Sequence, residues 1–196
     1  PPCHACAARG ACQHVEHAQL PRGGQIGLAR QQLKRQRLQG IAHQQRGCRA
    51  IRHMAGGQAI DLANVGQDLP QEMLEHMHSL KTGALIRAAV QLGALSCPDV
   101  DDDTLDALDF YAARLGLAFQ VIDDALDCAA DTTTLGKTAG KDADADKPTY
   151  VKLLGLDAAR GYAEQLAADA INALSTFDAR ATRLRELAEF TVGRKF

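Results

Sequence analysis

At 196 residues, 46% of them apolar, the chain is long enough for one domain with a real core. Its net charge of −2 hides a break: residues 1–53 hold eight Arg and one Lys against a single acid, Glu16, while the rest is strongly acidic. There is no run of 18 apolar residues for a membrane span, no apolar signal-peptide stretch, and the acidic part has only two isolated cysteines, Cys97 and Cys128, so the expected compartment is the reducing cytoplasm.

Residues 1–53 have no aromatic residue and few apolar ones, and only Leu33, Leu38 and Ile41 show hints of helical spacing. Too little surface can be buried there to offset the entropy of ordering, so the segment is expected to be disordered or loosely helical. Cys3, Cys6, Cys12 and His14 are zinc-type ligands without a second paired knuckle or a core around them, and no metal site is assigned to them. The positive charge comes without aromatics or a recognisable motif, so no nucleic-acid partner is expected either.

A second region, 54–196, reads as helix after helix. Asp68 and Pro70 suggest a helix start, behind which Met73, Met77, Leu80, Ala84, Ala88 and Leu92 trace one face up to Gly93. Asp101–Asp103 form an acidic turn that suits the N-terminus of the next helix, about 104–127. Residues 128–148, with Gly136, Gly140 and Pro148, lose periodicity and read as a loop. Asp157 is expected to cap a helix to about Leu174, and a last helix covers roughly Arg183–Val192. No strand pattern survives, so the fold class is all-α, with helices packed side by side.

Within the 104–127 helix, Phe-Gln-Val-Ile-Asp-Asp-Ala-Leu-Asp (119–127) crowds Asp123, Asp124 and Asp127 into roughly 100° of arc. Like charges at this spacing cost stability, and the apolar stripe Leu108, Ala112, Leu115, Phe119, Ile122, Leu126 lies beside them. Such a cluster calls for a neutralising cation. Mg²⁺ takes one or two carboxylates and completes its shell with water and phosphate oxygens, and Lys137, Lys141 and Lys147 could meet the remaining phosphate charge. Lys81-Thr82-Gly83 interrupts another apolar helix with a cation, a hydroxyl and a loosening glycine. The residues alone point to a Mg²⁺-diphosphate site beside an apolar cavity.

Five stretches carry a resemblance: 54–62 (Met-Ala-Gly-Gly-Gln-Ala-Ile-Asp-Leu), 81–86 (Lys-Thr-Gly-Ala-Leu-Ile), 116–127, 131–137 (Asp-Thr-Thr-Thr-Leu-Gly-Lys) and 146–150 (Asp-Lys-Pro-Thr-Tyr). In this order and spacing, residues 54–196 resemble the C-terminal half of the farnesyl diphosphate synthases of the polyprenyl synthetase family. The resemblance implies an isoprenoid-synthase-type helical bundle, here with its C-terminal helices only. It also implies Mg²⁺-dependent head-to-tail condensation of an allylic diphosphate, dimethylallyl or geranyl, with isopentenyl diphosphate to a short polyprenyl diphosphate such as farnesyl diphosphate. It places Mg²⁺ on Asp123, Asp124 and Asp127, and the allylic diphosphate on Lys81, Lys137 and Lys147. Thr82 and Gln120 would set oxygens near the allylic carbocation, and Gln58 and Asp61 would line the same cavity. A homodimer is implied as well.

The family's first aspartate-rich motif precedes the Gly-Gly-Gln stretch, and residues 1–53 contain no Asp. Their Arg-, Gln-, Gly- and His-rich composition is what a GC-rich gene yields when read out of frame. The alternative expectation is therefore a truncated or frameshifted chain, catalytically inactive and at most a weak Mg²⁺-diphosphate binder.

Overall fold

The computed structural model describes residues 23–97, 99–134 and 147–194. Among the described residues all regular structure is helical, in agreement with the all-α reading: α1 Gly23–Ala63, α2 Gln71–His78, a π-helical turn Ser79–Gly83, α3 Ala84–Leu95, α4 Asp102–Thr134, α5 Tyr150–Leu154, α6 Leu156–Ala173, a 3₁₀ turn Ala179–Ala181 and α7 Thr182–Gly193. No helix among them is long and apolar enough to cross a membrane. The chain divides into two compact units after Gly40, and the second, Ile41–Phe196, carries the candidate site.

α4 is the axis of that unit and packs against α2, the π turn, α3, α5, α6 and α7. It starts where expected: Asp101 Oδ1 accepts the Thr104 N–H at 2.7 Å, which satisfies one of the first-turn donors. Its inward stripe, with Leu108, Ala112, Leu115 and Ile122 buried, follows the spacing of three and four that the sequence shows. α6 faces it with Leu166 and with Ala159, Ala163, Ala167 and Ala170, small side chains that let two helix backbones approach. Two apolar clusters result. One gathers Leu74, Met77, Val121, Ile122, Tyr150 and Leu166, and the other Tyr111, Leu115, Ala170, Leu174 and Ala188. Each large apolar side chain buried this way contributes about 1.5–3 kcal/mol before entropy is counted.

Several local expectations need correction. The single face through Met73 is broken: Met73 is half exposed while Leu74 and Met77 are buried. The π turn at 79–83 adds a residue to one turn of helix and so resets the register between α2 and α3. Asp68 does not cap α2, whose N-cap is Pro70 with no side-chain hydrogen bond. Asp157 sits inside the first turn of α6, and the N-cap is Gly155 at φ +84°, a left-handed conformation that lets α5 and α6 meet at an abrupt corner. The expected loop 128–148 is partly helix. α4 continues to Thr134, and α5 begins right after Thr149, whose hydroxyl accepts the Lys152 N–H at 3.2 Å. The described part of the basic segment, 23–53, lies within α1, on the helical side of the expectation of a disordered or loosely helical segment. Gln and Arg, both good helix formers, are the commonest residues there, and no Pro interrupts them. Helix propensity carries that segment where apolar periodicity gives no signal.

Candidate functional site

Two walls meet through backbone-to-backbone contacts at glycine. A Cβ on Gly116 of α4 would lie 2.9 Å from Gly83 Cα in the π turn. One on Gly57 of α1 would lie 2.7 Å from Lys81 Cα and closer still to Lys81 N. No side chain fits at either point, so α1, the π turn and α4 pack as closely as helices can. The Gly-Gly-Gln and Lys-Thr-Gly stretches thus act as steric notches, and they bring the charged residues that follow them into one place.

On the first wall, Asp61 of α1 is buried and accepts from Lys81 Nζ at 2.6 Å. Gln58, one turn earlier, is exposed, so the structure separates these two expected cavity residues. Thr82 is half-buried beside Lys81. The second wall is the stretch of α4 from Phe119 to Asp127, in its C-terminal half. Gln120 is buried and its Oε1 lies 2.9 Å from Nδ1 of His78, the last residue of α2. Asp124 Oδ2 accepts the backbone N–H of Tyr150 at 2.9 Å, which ties α4 to the start of α5. Asp123 has Arg194 at 3.7 Å, and that guanidinium also stacks over Phe119, 4.4 Å from the ring centre. Asp127 is exposed at the rim. Lys147 is half-buried just before α5, and Lys137 lies outside the described residues, as do Cys3, Cys6, Cys12 and His14.

Electrostatics links the walls. Burial raises the Asp123 carboxyl, with Asp127 adding to the rise, while Arg194 and Lys81 oppose it. Burial pushes Asp124 up to about 7, against the Tyr150 N–H and Lys81, which pull it down. Both groups therefore sit within the field of Lys81 from the opposite wall. Repulsion within the trio is the sequence-level reason to expect raised values, but desolvation is the larger cause. Carboxylates held in this state gain from an added cation.

Among the described residues, no three His, Cys, Asp or Glu side chains converge to cage a metal ion. The aspartates instead line one edge of α4. That donor set fits Mg²⁺, which uses one or two carboxylates and draws its other oxygens from water and phosphate. It does not fit an all-protein cage. An open groove of about 640 Å³ elsewhere, lined by Arg46, Arg49, His53, His76 and Arg87 among others, includes none of the expected site residues.

Three site residues escape a reading of the sequence. His78 is buried, and its burial holds its pKa below the ordinary histidine value. The available signal was its place one turn after Leu74. Tyr150 is fully buried with its ring centre 5.6 Å from that of His78. Arg194 reaches the site from the end of α7 and gives no sequence signal at all.

The described helices thus form an all-α bundle in which the acids of one long helix lie in the field of a lysine on an interrupted helix. The polyprenyl synthetase profile matches residues 30–187, so the chain belongs to the polyprenyl synthetase family. It is 49% identical over 138 residues to a probable farnesyl diphosphate synthase of Sinorhizobium fredii, covering 69% of this chain and 42% of that protein. It is 48% identical over 147 residues to the farnesyl diphosphate synthase of Escherichia coli, covering 74% and 49%. Among solved structures, a Helicobacter pylori geranyltransferase in complex with magnesium and isoprenyl diphosphate superposes with a TM-score of 0.56 at 32% identity, covering 71% of this chain and 45% of that one. The chain thus spans under half the length of each of these relatives. The profile match begins within α1, well before Met54.

Proposed function

We propose that the chain carries the allylic-diphosphate side of a prenyl-transfer site. The reaction is the Mg²⁺-dependent head-to-tail condensation of a dimethylallyl or geranyl diphosphate with isopentenyl diphosphate, giving a short-chain product such as farnesyl diphosphate. The observation that carries this reading is the placing of Asp123 and Asp124 side by side on α4, partly buried and in the field of Lys81 from the other wall. The names of the relatives support prenyl transfer over the non-catalytic alternative.

Asp123, Asp124 and Asp127 are the residues that would hold Mg²⁺, which when bound supplies Lewis-acid stabilisation of the departing diphosphate. Lys81 binds a diphosphate oxygen, drawn partly from its pairing with Asp61; Lys137 and Lys147 complete the positive lining. Asp61 keeps the Lys81 ammonium in place between turnovers, since it is buried against it. Thr82 offers a hydroxyl oxygen to the carbon from which the diphosphate departs. Phe119 and Ile122 line the apolar side of α4 and exclude water, so that these fixed dipoles act at low dielectric.

The test is incorporation of labelled isopentenyl diphosphate into an allylic product by the purified chain, with Mg²⁺ and dimethylallyl diphosphate. The proposal expects Mg²⁺-dependent incorporation that Asp124→Asn removes. Incorporation that is unchanged in that variant, or none in the parent, contradicts it.

A further inference from the structure

The open groove of about 640 Å³ away from the aspartates has a chemistry of its own. Arg46, Arg49 and His53 follow one another on α1 at intervals of three and four, so they share one face of that helix. That face forms one side of the groove, and His76 of α2 and Arg87 of α3 stand on the other. Among the described residues that line it there is no carboxylate. The chain is acidic from residue 54 on, so the groove is a local reversal of sign. None of these five basic residues falls in the stretches that carry the family resemblance.

A network of bonds holds the groove in shape. Arg87 donates to the Asp109 carboxylate of α4 through Nε at 3.0 Å and through Nη2 as well. Gln91, one turn after Arg87, donates its Nε2 to the same carboxylate. A carboxylate takes only donors, so Asp109 fixes which end of the amide it meets and leaves the Gln91 oxygen to accept from Arg46 Nη1 at 2.9 Å. Bonds running from Arg46 through Gln91 and Asp109 to Arg87 thus tie a guanidinium of α1 across to α3. Only the charge of Arg87 is offset there, by Asp109. Arg46 meets the neutral Gln91, and the Arg49 side chain has no hydrogen-bond or ion-pair partner among the described residues. Two uncompensated arginines three residues apart repel each other. An anion removes that repulsion.

We infer that this groove binds a free anion of two or more linked phosphates, of which inorganic diphosphate is the simplest. The guanidinium groups of Arg46 and Arg49 carry forked N–H donors of the kind that phosphate oxygens accept in pairs. His53 and His76 add imidazole N–H donors from α1 and α2. The volume lies in the range of small-molecule sites and exceeds what a single phosphate fills, so a longer anion is needed to meet both sides at once. With no carboxylate in the lining, binding needs no divalent cation. That separates the groove from the α4 aspartates, which on the reading above meet a diphosphate through a metal.

The test is calorimetry of the full chain with inorganic diphosphate in EDTA, in an Asp123→Ala background so that the α4 site is silent. Metal-free binding of one diphosphate per chain is expected, weakening as salt rises. Inorganic phosphate, which cannot meet both sides, should bind roughly tenfold more weakly. Arg46→Gln and Arg49→Gln should each weaken diphosphate binding about tenfold, the effect of one charge-assisted hydrogen bond. Arg183→Gln removes an exposed arginine of α7, paired with Glu186, and should leave the affinity unchanged. All three arginines are exposed, so these variants keep the fold, which circular dichroism checks. Absence of metal-free binding overturns the inference. So does binding that Arg46→Gln and Arg49→Gln retain, that Arg183→Gln weakens equally, or that phosphate matches. Because the assay holds neither metal nor Asp123, its outcome is independent of the α4 proposal.

Discussion

The two walls of the site treat buried charge in opposite ways. On the wall formed by α1 and the π turn, Asp61 and Lys81 neutralise each other at 2.6 Å, and the pair is complete within the chain. On the α4 wall, Asp123 and Asp124 are raised by burial, with Asp124 near 7, and Arg194 stands off Asp123 at 3.7 Å. A closed pair supports the fold. A wall whose carboxylates are raised by burial costs stability, and an added cation would offset that cost. The difference separates what holds the site from what the site holds.

Breaking the closed wall should have the largest effect. Lys81→Met strands the buried Asp61 carboxylate, and we expect a loss of about 2–3 kcal/mol, at the low end for a broken buried pair because the Lys81 side chain is 29% exposed. Urea unfolding of the metal-free chain measures it, and Asp61→Asn in the same background should recover part of the loss.

A pair of neighbouring glycines sharpens the same contrast between a wall that touches and one that does not. Gly57→Ala drives a methyl into the backbone of Leu80 and Lys81 and should cost about 1–3 kcal/mol. Gly56→Ala meets nothing within 4 Å and should stabilise α1 by about 0.5–1 kcal/mol, the usual gain for replacing a helical glycine. Equal melting temperatures for the two variants would remove the notch from the account.

The strut between the walls predicts a pH effect. Burial holds the folded His78 pKa below its ordinary value of 6.5, so the unfolded chain takes up the proton first. The stability His78 contributes is present above pH 6.5 and is lost as pH falls through the folded value. The melting temperature of the parent relative to His78→Asn should therefore decline on acidification below pH 6.5. A difference that is flat with pH contradicts a buried neutral imidazole.

The smallest expected effect lies on the open wall. Asp123→Ala removes a carboxylate that burial and Asp127 both oppose and loses a loose Arg194 contact. The metal-free melt should be unchanged or slightly raised.

What the sequence made legible follows from what a sequence encodes. The inward face of α4 was readable because a stripe such as Leu108, Ala112, Leu115, Ile122 repeats with the helix period, but its last turns to Thr134 were not, since the stripe stops before them. The acid edge was readable because like charges at helical spacing demand a cause. Lys81-Thr82-Gly83 was readable as an interruption, but not as a π turn that shifts the register and puts Leu74 inside in place of Met73. His78 was not legible, because a lone polar residue carries no sign of its partner, and Gln120 is 42 residues away. Arg194 and the Tyr150 N–H reach the aspartates only through tertiary packing. In α1, polar helix formers without an apolar stripe hid a helix, since periodicity is silent where propensity alone acts.

The central claim is that the α4 aspartates form a cation-diphosphate site. Thermal melts of the parent and Asp123→Ala with Mg²⁺ and inorganic diphosphate test it most directly. The account predicts that the ligands stabilise the parent by RT ln(1 + [L]/Kd), about 2.7 kcal/mol at a hundredfold excess over Kd, and leave Asp123→Ala nearly unshifted. An equal rise in both proteins would contradict it.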